Sequence, residues 1–164
     1  MKRFFLLLLL CFTAYQCFGQ TKKDSRPVFS GIWYLTSMET NNKIPGFQPA
    51  IKKNKLVEVV HNDPSLRIIT KEKDGEKYNV LDDYTYYTDK RGETNSVNSD
   101  SQLIQLASTT QWEDGKIVIK NNADKNNKKE WELSSDGTRL IQKVHIKTQF
   151  DKFYIALIFT KTPQ

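Results

Sequence analysis

The chain has 164 residues, of which 38% are hydrophobic and 27% are charged, and its formal net charge is +6 at neutral pH. This length allows one domain with a single hydrophobic core. Nucleic-acid-binding proteins usually concentrate basic residues on one face, whereas these lysines and arginines are spread along the chain, so we exclude that class. Both cysteines, Cys11 and Cys17, lie near the N-terminus, so the rest of the chain offers no disulfide, thiol nucleophile or cysteine metal site.

Residues 1–19 have the pattern of a cleaved export signal. Lys2 and Arg3 form a basic start, an apolar run follows, and the small residues Cys17 and Gly19 precede the expected cleavage point. The apolar run is too short to cross a bilayer as a stable helix, so we expect no membrane span in the mature chain. Acylation of Cys17 would make a lipoprotein, but the residues before it are bulkier and more polar than such signals prefer, so soluble export is favoured.

Removal of the signal leaves an N-terminal extension, residues 20–27, and one predicted domain, residues 28–162. The signal takes two basic residues with it and no acidic residue, which lowers the net charge from +6 to +4. Eukaryotic secreted domains of this size more often carry disulfides. We therefore predict an exported protein of a Gram-negative bacterium, periplasmic or extracellular.

The domain is predicted to consist of short β-strands and turns. Asp74-Gly75, Asp114-Gly115 and Asp136-Gly137 suit two-residue hairpin turns, because glycine and aspartate accept positive φ. No window has the 3.6-residue apolar period of a helix. Strands are expected at residues 28–37, 55–61, 65–73, 76–88, 93–97, 102–112, 116–121, 128–133, 138–148 and 153–161. This pattern predicts an all-β fold, an antiparallel up-and-down β-barrel of about 8–10 strands, with a β-sandwich as the alternative.

Alternation of apolar and polar residues predicts which side of each strand faces the core. The expected inner faces are Phe29, Gly31, Trp33 and Leu35; Ile104, Leu106, Ser108, Thr110 and Trp112; Ile117 and Ile119; Trp131 and Leu133; Leu140, Gln142, Val144 and Ile146; and Phe153, Ile155, Leu157 and Phe159. Ser108, Thr110 and Gln142 add polar groups to an otherwise apolar interior. This mixture allows a cavity for a small amphipathic ligand, and equally a filled core with hydrogen-bonded hydroxyls.

Groups able to do chemistry are few. His61 shares a face with inward residues and could bind a ligand or, with Asp63, a metal; a hydrogen-bonded structural histidine is favoured, because two such ligands make a weak site. His145 alternates with lysines and is expected to face solvent. Asp82-Asp83 indicates a β-bulge or a solvated break, since adjacent strand residues point to opposite faces. We predict no catalytic residue, no metal and no cofactor.

Tyrosines and long connections supply the remaining candidates. Four tyrosines share one predicted strand and could line a ligand mouth or serve as half-buried strand formers: Tyr78, Tyr84, Tyr86 and Tyr87. Residues 38–55 are the longest irregular stretch, either a solvated connection or a functional loop. Residues 121–129 are expected to be a polar connection with no role of their own.

Phe29-Ser30-Gly31-Ile32-Trp33-Tyr34-Leu35 resembles the start of lipocalin-like, calycin-type β-barrel domains. Trp112-Glu113-Asp114-Gly115-Lys116 and Leu133-Ser134-Ser135-Asp136-Gly137 are similar to turns in functionally uncharacterised bacterial secreted domains of this kind. The resemblance implies that Trp33 closes one end of the barrel beneath a basic side chain from a late strand. Arg139 matches that role, with Lys143 second. It also implies that the loop within 38–55 covers the open mouth, where Lys52, Lys53 and Lys55 could meet an acidic head group.

The predicted function is therefore that of an exported non-catalytic binding protein with a small apolar or amphipathic ligand in its barrel. The candidate ligand-binding residues are Trp33, His61, Tyr84, Tyr86, Ser108, Thr110, Trp112 and Gln142. The alternative is a protein- or glycan-interaction module of the cell envelope that uses the outer face of the sheet. An enzyme is the third interpretation, with His61 as its only candidate group.

Overall fold

Ten antiparallel strands form one sheet. The computed structural model describes residues 26–41, 54–99, 102–124, 126–149 and 151–162, so the expected export signal lies outside the described residues. The strands are β1 Gly31–Thr40, β2 Lys55–Asn62, β3 Ser65–Asp74, β4 Lys77–Tyr87, β5 Glu93–Ser99, β6 Gln102–Glu113, β7 Lys116–Asn121, β8 Lys128–Leu133, β9 Arg139–Lys147 and β10 Lys152–Thr160. Within those ranges, no helix has the length and apolar character needed to cross a membrane.

The sheet is a meander that curls into a nearly closed barrel. Its strand order is β4-β3-β2-β1-β10-β9-β8-β7-β6-β5, and β1 joins the first and last strands by pairing with β10. The two edge strands, β4 and β5, come into contact and so bring the ends of the sheet together. The predicted all-β antiparallel barrel is confirmed. Every predicted strand overlaps an observed one, and the three turn glycines have positive φ: Gly75 at 62°, Gly115 at 77° and Gly137 at 68°. Two residues connect β3 to β4 and β6 to β7, as predicted, but five residues connect β8 to β9, so the two-residue turn predicted at Asp136-Gly137 is wrong.

Side chains, rather than a backbone ladder, hold β4 against β5. Asn95 accepts a hydrogen bond from the Thr85 amide at 2.8 Å and donates one to the Thr85 carbonyl at 3.0 Å. Glu93 accepts from the Tyr87 amide at 3.2 Å. We call these four residues the β4–β5 seam. It satisfies backbone groups that an open sheet edge would leave to water or to another chain.

A β-bulge lies in β4, beside the two adjacent aspartates. Thr70 pairs with Asp82 whereas Lys71 pairs with Val80, so Leu81 is the extra residue. The bulge expected at this point is therefore confirmed. Asp82 and Asp83 point to opposite faces: the Tyr84 hydroxyl donates to Asp82 at 2.7 Å inside, while Arg67 pairs with Asp83 at 2.6 Å outside.

The strands alternate in direction, so connections that follow odd-numbered strands lie at one end of the barrel and the others lie at the opposite end. The end with the connections that follow even-numbered strands is the closed end, because Phe29 and Trp33 fill it and are each 1% exposed. The end with the connections that follow odd-numbered strands is the open end. There the stripe predicted for β6 is only half right, since Ile104 and Leu106 are 42% and 38% exposed. Alternation predicts the side to which a residue points but does not predict whether another layer covers that side.

Candidate functional site

Trp33 closes one end of the barrel, and the basic side chain that lies over its indole ring is Lys161 rather than the expected Arg139. Its indole Nε1 donates to the Phe29 carbonyl at 2.9 Å, and Lys161 Nζ lies 5.0 Å from the ring centroid. Arg139, the residue matched to this role, is exposed at the start of β9, and Lys143 pairs with Glu132. Tyr34 pairs with Thr160, so the residue after Thr160 lies beside Trp33. This strand register explains why Lys161 takes the position expected for Arg139.

His61 lies in an aromatic and acidic cluster at the closed end. Its ring centroid is 5.6 Å from that of Phe29 and 5.7 Å from that of Trp112, and only 3% of its side chain is exposed. Its Nδ1 accepts from the Phe29 amide at 3.4 Å, while Nε2 lies 3.8 Å from Asp63. Asp63 also accepts from Trp112 Nε1 at 3.0 Å and from Thr88. His61 therefore points inward as alternation predicts, and its contacts are structural.

Burial lowers the pKa of His61, although the Asp63 carboxylate partly offsets that effect. The folded protein therefore favours the neutral imidazole. A histidine in the unfolded chain has a pKa of about 6.5. Because the pKa of His61 is lower in the folded protein, the unfolded chain binds more protons than the folded one below that pH. The free energy of unfolding should fall as the pH drops from about 7.5 to about 5. Urea unfolding across this range measures the slope.

His61→Asn provides the test of that slope. It keeps a side-chain acceptor but does not titrate, so the variant should be less stable overall and should show a flatter pH dependence. His145→Asn changes the other histidine and should leave the contribution of His61 in place. A wild-type slope retained in His61→Asn would contradict this assignment.

The described residues enclose two cavities inside the barrel. The larger has a volume of about 230 Å³ and the smaller of about 120 Å³. Leu35, Val57, Ile68, Trp131, Leu157 and Phe159 are apolar residues that line the larger one. Four residues line both: Tyr84, Tyr86, Lys129 and Val144. The interior thus has an apolar floor toward the closed end and a polar group of side chains halfway along the barrel.

Lys129 is the inward-facing lysine that lines both cavities, whereas Lys55 lines only the larger one. Lys129 pairs with Ile119 on one side and Val144 on the other, two residues that also line the smaller cavity. Burial lowers the pKa of Lys129, and the charge of Asp82 acts in the opposite direction. Burial also raises the pKa of Tyr84 and of Tyr86, so both phenols stay neutral at ordinary pH.

The structure brings only some of the predicted site residues together. Tyr84 and Tyr86 line both cavities, Ser108 lines the smaller and Gln142 the larger. The other four line neither of these cavities: Trp33, His61 and Trp112 lie at the closed end, and Thr110 is fully buried and donates to Glu93 at 2.8 Å. Among the described residues, no group of three histidine, cysteine or acidic side chains could hold a metal ion.

The structure describes only part of the predicted ligand mouth. Tyr86 is 6% exposed and belongs to the inner wall rather than to the rim. Residues 38–40 belong to β1 and Lys55 belongs to β2, where it lines the larger cavity. Residues 42–53 of the predicted lid, including Lys52 and Lys53, lie outside the described residues. On β5 and β6, Val97 and Leu106 line the smaller cavity toward the open end.

Sequence reasoning missed Lys129 and Asp82. Lys129 was assigned to a polar connection, yet it alternates with Trp131 and Leu133, which were placed on the inner face. Extending that alternation by one step would have placed Lys129 inside. Asp82 was interpreted as a marker of a β-bulge or a solvated break, although it alternates with Tyr84 and Tyr86 and therefore shares their face.

Solved structures place this architecture among known folds. A zebrafish ileal bile acid-binding protein complexed with cholic acid superimposes with a TM-score of 0.58 at 15% identity, covering 82% of this chain and 98% of that one. The chain has the lipocalin-like, calycin-type barrel fold. A bovine odorant-binding protein complexed with undecanal has a TM-score of 0.38 at 15% identity, covering 86% of this chain and 77% of that one. H1 crustacyanin from the lobster Homarus americanus has a TM-score of 0.40 at 13% identity, covering 87% and 65%. No protein-family model and no curated protein matches the sequence.

Proposed function

We propose that this lipocalin-like barrel holds a small apolar or amphipathic molecule in its interior without transforming it. The observation that carries the proposal is the larger cavity, which combines an apolar floor with a few polar groups. Ligand sites commonly have this composition, because apolar walls supply affinity and sparse polar groups fix orientation. The bile acid-binding neighbour offers an analogy of fold only.

We also propose export to the periplasm or the extracellular space. The support is the basic, apolar and small-residue pattern of residues 1–19. The first residue of the protein purified from its host tests this proposal. Cleavage of the signal would leave Gln20 at the N-terminus, and an uncleaved Met1 would contradict it.

Filling the cavities should weaken ligand binding. Val144 lines both, so Val144→Phe adds a ring to the shared space. We expect the neutral fluorescent probe N-phenyl-1-naphthylamine to bind the wild-type protein saturably. The variant should bind it about tenfold more weakly or worse, a loss that corresponds to about 1.4 kcal/mol. Fluorescence titration measures both affinities.

Val60→Phe is the matched control, because Val60 is 51% exposed on the outer face of β2. It makes the same change without touching the interior and should leave probe binding unchanged. Far-UV circular dichroism checks that both variants keep the barrel. Equal binding by Val144→Phe and the wild-type protein would show that the probe sits elsewhere.

The alternative function, an interaction module of the cell envelope, has one observation in its favour. Apolar side chains are exposed on two strands, Tyr78, Val80 and Leu81 on β4 and Leu103, Ile104 and Leu106 on β6. Exposed apolar groups of this kind can mark a contact with another molecule. Tyr84 and Tyr86 do not contribute to such a surface, because both line the interior cavities. A wild-type protein that takes up no probe would make this alternative the better proposal.

A further inference from the structure

We infer that the ligand carries a negatively charged group and that Lys129 Nζ binds that group inside the barrel. This inference rests on the proposed function and deepens it, because it specifies the chemical class of the ligand as an amphipathic anion.

The position of Lys129 is the first argument. Its partners in the two neighbouring strands, Ile119 and Val144, place it in the inner row of β8, one inward step from Trp131 toward the open end. Its side chain lines both cavities. A molecule in either cavity would therefore lie beside this amine.

The missing counter-ion is the second argument. Lysines around Lys129 are paired on the outer face: Lys116 and Lys143 with Glu132, and Lys128 with Glu130. In the described part of the chain, Lys129 forms no ion pair. Its Nζ lies 6.0 Å from the centroid of the Tyr84 ring. Lys129 is only partly exposed, and partial burial of a cation without a partner costs free energy, so a bound anion would supply the missing interaction.

Asp82, an acidic residue that lines the larger cavity, does not serve as the counter-ion of Lys129. Asp82 contributes an attractive charge, but its carboxylate accepts the hydrogen bond of the Tyr84 hydroxyl at 2.7 Å. Within the described residues, Asp82 and Lys129 form no ion pair, and Tyr84 is the residue that lies near both. Lys129 keeps its donors for another acceptor.

The surroundings specify the rest of the molecule. Trp131 stacks against Phe159 with ring centroids 6.2 Å apart, and both line the larger cavity on its closed-end side. An apolar chain or ring would pack there while its charged end meets Lys129. Anion binding would also raise the lowered pKa of Lys129, so uptake of the ligand should be accompanied by uptake of protons above neutral pH.

Two probes of equal length and different head group test the inference. Decanoate and 1-decanol are each used to displace N-phenyl-1-naphthylamine from the wild-type protein, from Lys129→Met and from Lys120→Met. The wild-type protein should prefer decanoate by about tenfold or more, because a charge-assisted hydrogen bond is stronger than a neutral one. Lys129→Met should lose that preference and still bind decanol.

Lys120→Met is the matched control, because Lys120 lies on the outer face of the neighbouring β7 and pairs with Glu113. It should keep the wild-type preference. Lys129→Arg, which retains a cation, should keep it as well, and this variant guards against a fold lost through the methionine change.

Each outcome separates the two proposals. Equal affinity of the wild-type protein for decanoate and decanol, or an unchanged preference in Lys129→Met, would overturn the anion inference and leave the binding function intact. A wild-type protein that binds neither the fluorescent probe nor decanol would overturn the binding function itself.

Discussion

Replacing Trp33 with alanine should lower the free energy of unfolding by about 3–5 kcal/mol, the range for removal of a large buried aromatic side chain. Trp33 is 1% exposed, lies in the core with Leu35 and Val57, and seals the closed end. The change leaves a cavity, removes the hydrogen bond to the Phe29 carbonyl and takes the ring away from Lys161. Urea unfolding followed by circular dichroism measures the loss.

Two further variants separate the contribution of the Trp33 hydrogen bond from that of its packing and provide a control. Trp33→Phe keeps most of the packing but leaves the buried Phe29 carbonyl without its donor, so we expect a loss of about 1–3 kcal/mol. Ile32→Ala changes the adjacent residue, which is 49% exposed, and should cost less than about 1 kcal/mol. Equal losses in Trp33→Ala and Ile32→Ala would show that Trp33 does not hold the closed end.

Replacing Glu93 with alanine should cost about 3 kcal/mol, because the change leaves several donors unpaired at once. Ser108 and Thr110, which are 7% and 0% exposed, both donate to Glu93, at 2.6 Å and 2.8 Å. The Tyr87 amide is the third donor. The loss should also loosen the β4–β5 seam, and faster hydrogen exchange at the Thr85 and Tyr87 amides would report that opening.

Glu93→Gln retains the size of the side chain but places an amide NH2 among these donors. We expect it to cost about 1–2 kcal/mol, less than alanine, because one acceptor oxygen remains. Thr94→Ala is the control: Thr94 is exposed on the same strand, and its loss should change stability by no more than about 0.5 kcal/mol. Unchanged amide exchange in Glu93→Ala would contradict the role given to the seam.

Local patterns predicted most of the fold. Glycine is favoured where a turn needs positive φ, so Gly75, Gly115 and Gly137 located three hairpins without knowledge of the rest, although the turn with Gly137 is longer than the two residues predicted. Alternation then placed Trp131 and Leu140 inside, and both are buried. Such signals depend on one strand and its neighbour in sequence, and for that reason a single sequence contains them.

The candidate site was predicted less well. Tyr84 and Gln142 do line the larger cavity, whereas His61 and Trp112 belong to the closed end. Alternation gives the inner face of a strand but not the depth at which a residue meets residues from other strands. The cation over Trp33 shows the same limit, because the choice between Arg139 and Lys161 depends on the register of β1 against β10.

The sequence by itself determined the strands, the turns between them and which side of most strands is apolar, because backbone sterics and the two-residue period are local. The tertiary structure alone decided which inward groups meet. It placed Lys129 beside Tyr84, two residues on strands far apart in sequence, and it paired Asp82 with Thr70 in the wall of the larger cavity. Closure of the sheet sets those distances, and closure depends on all ten strands together.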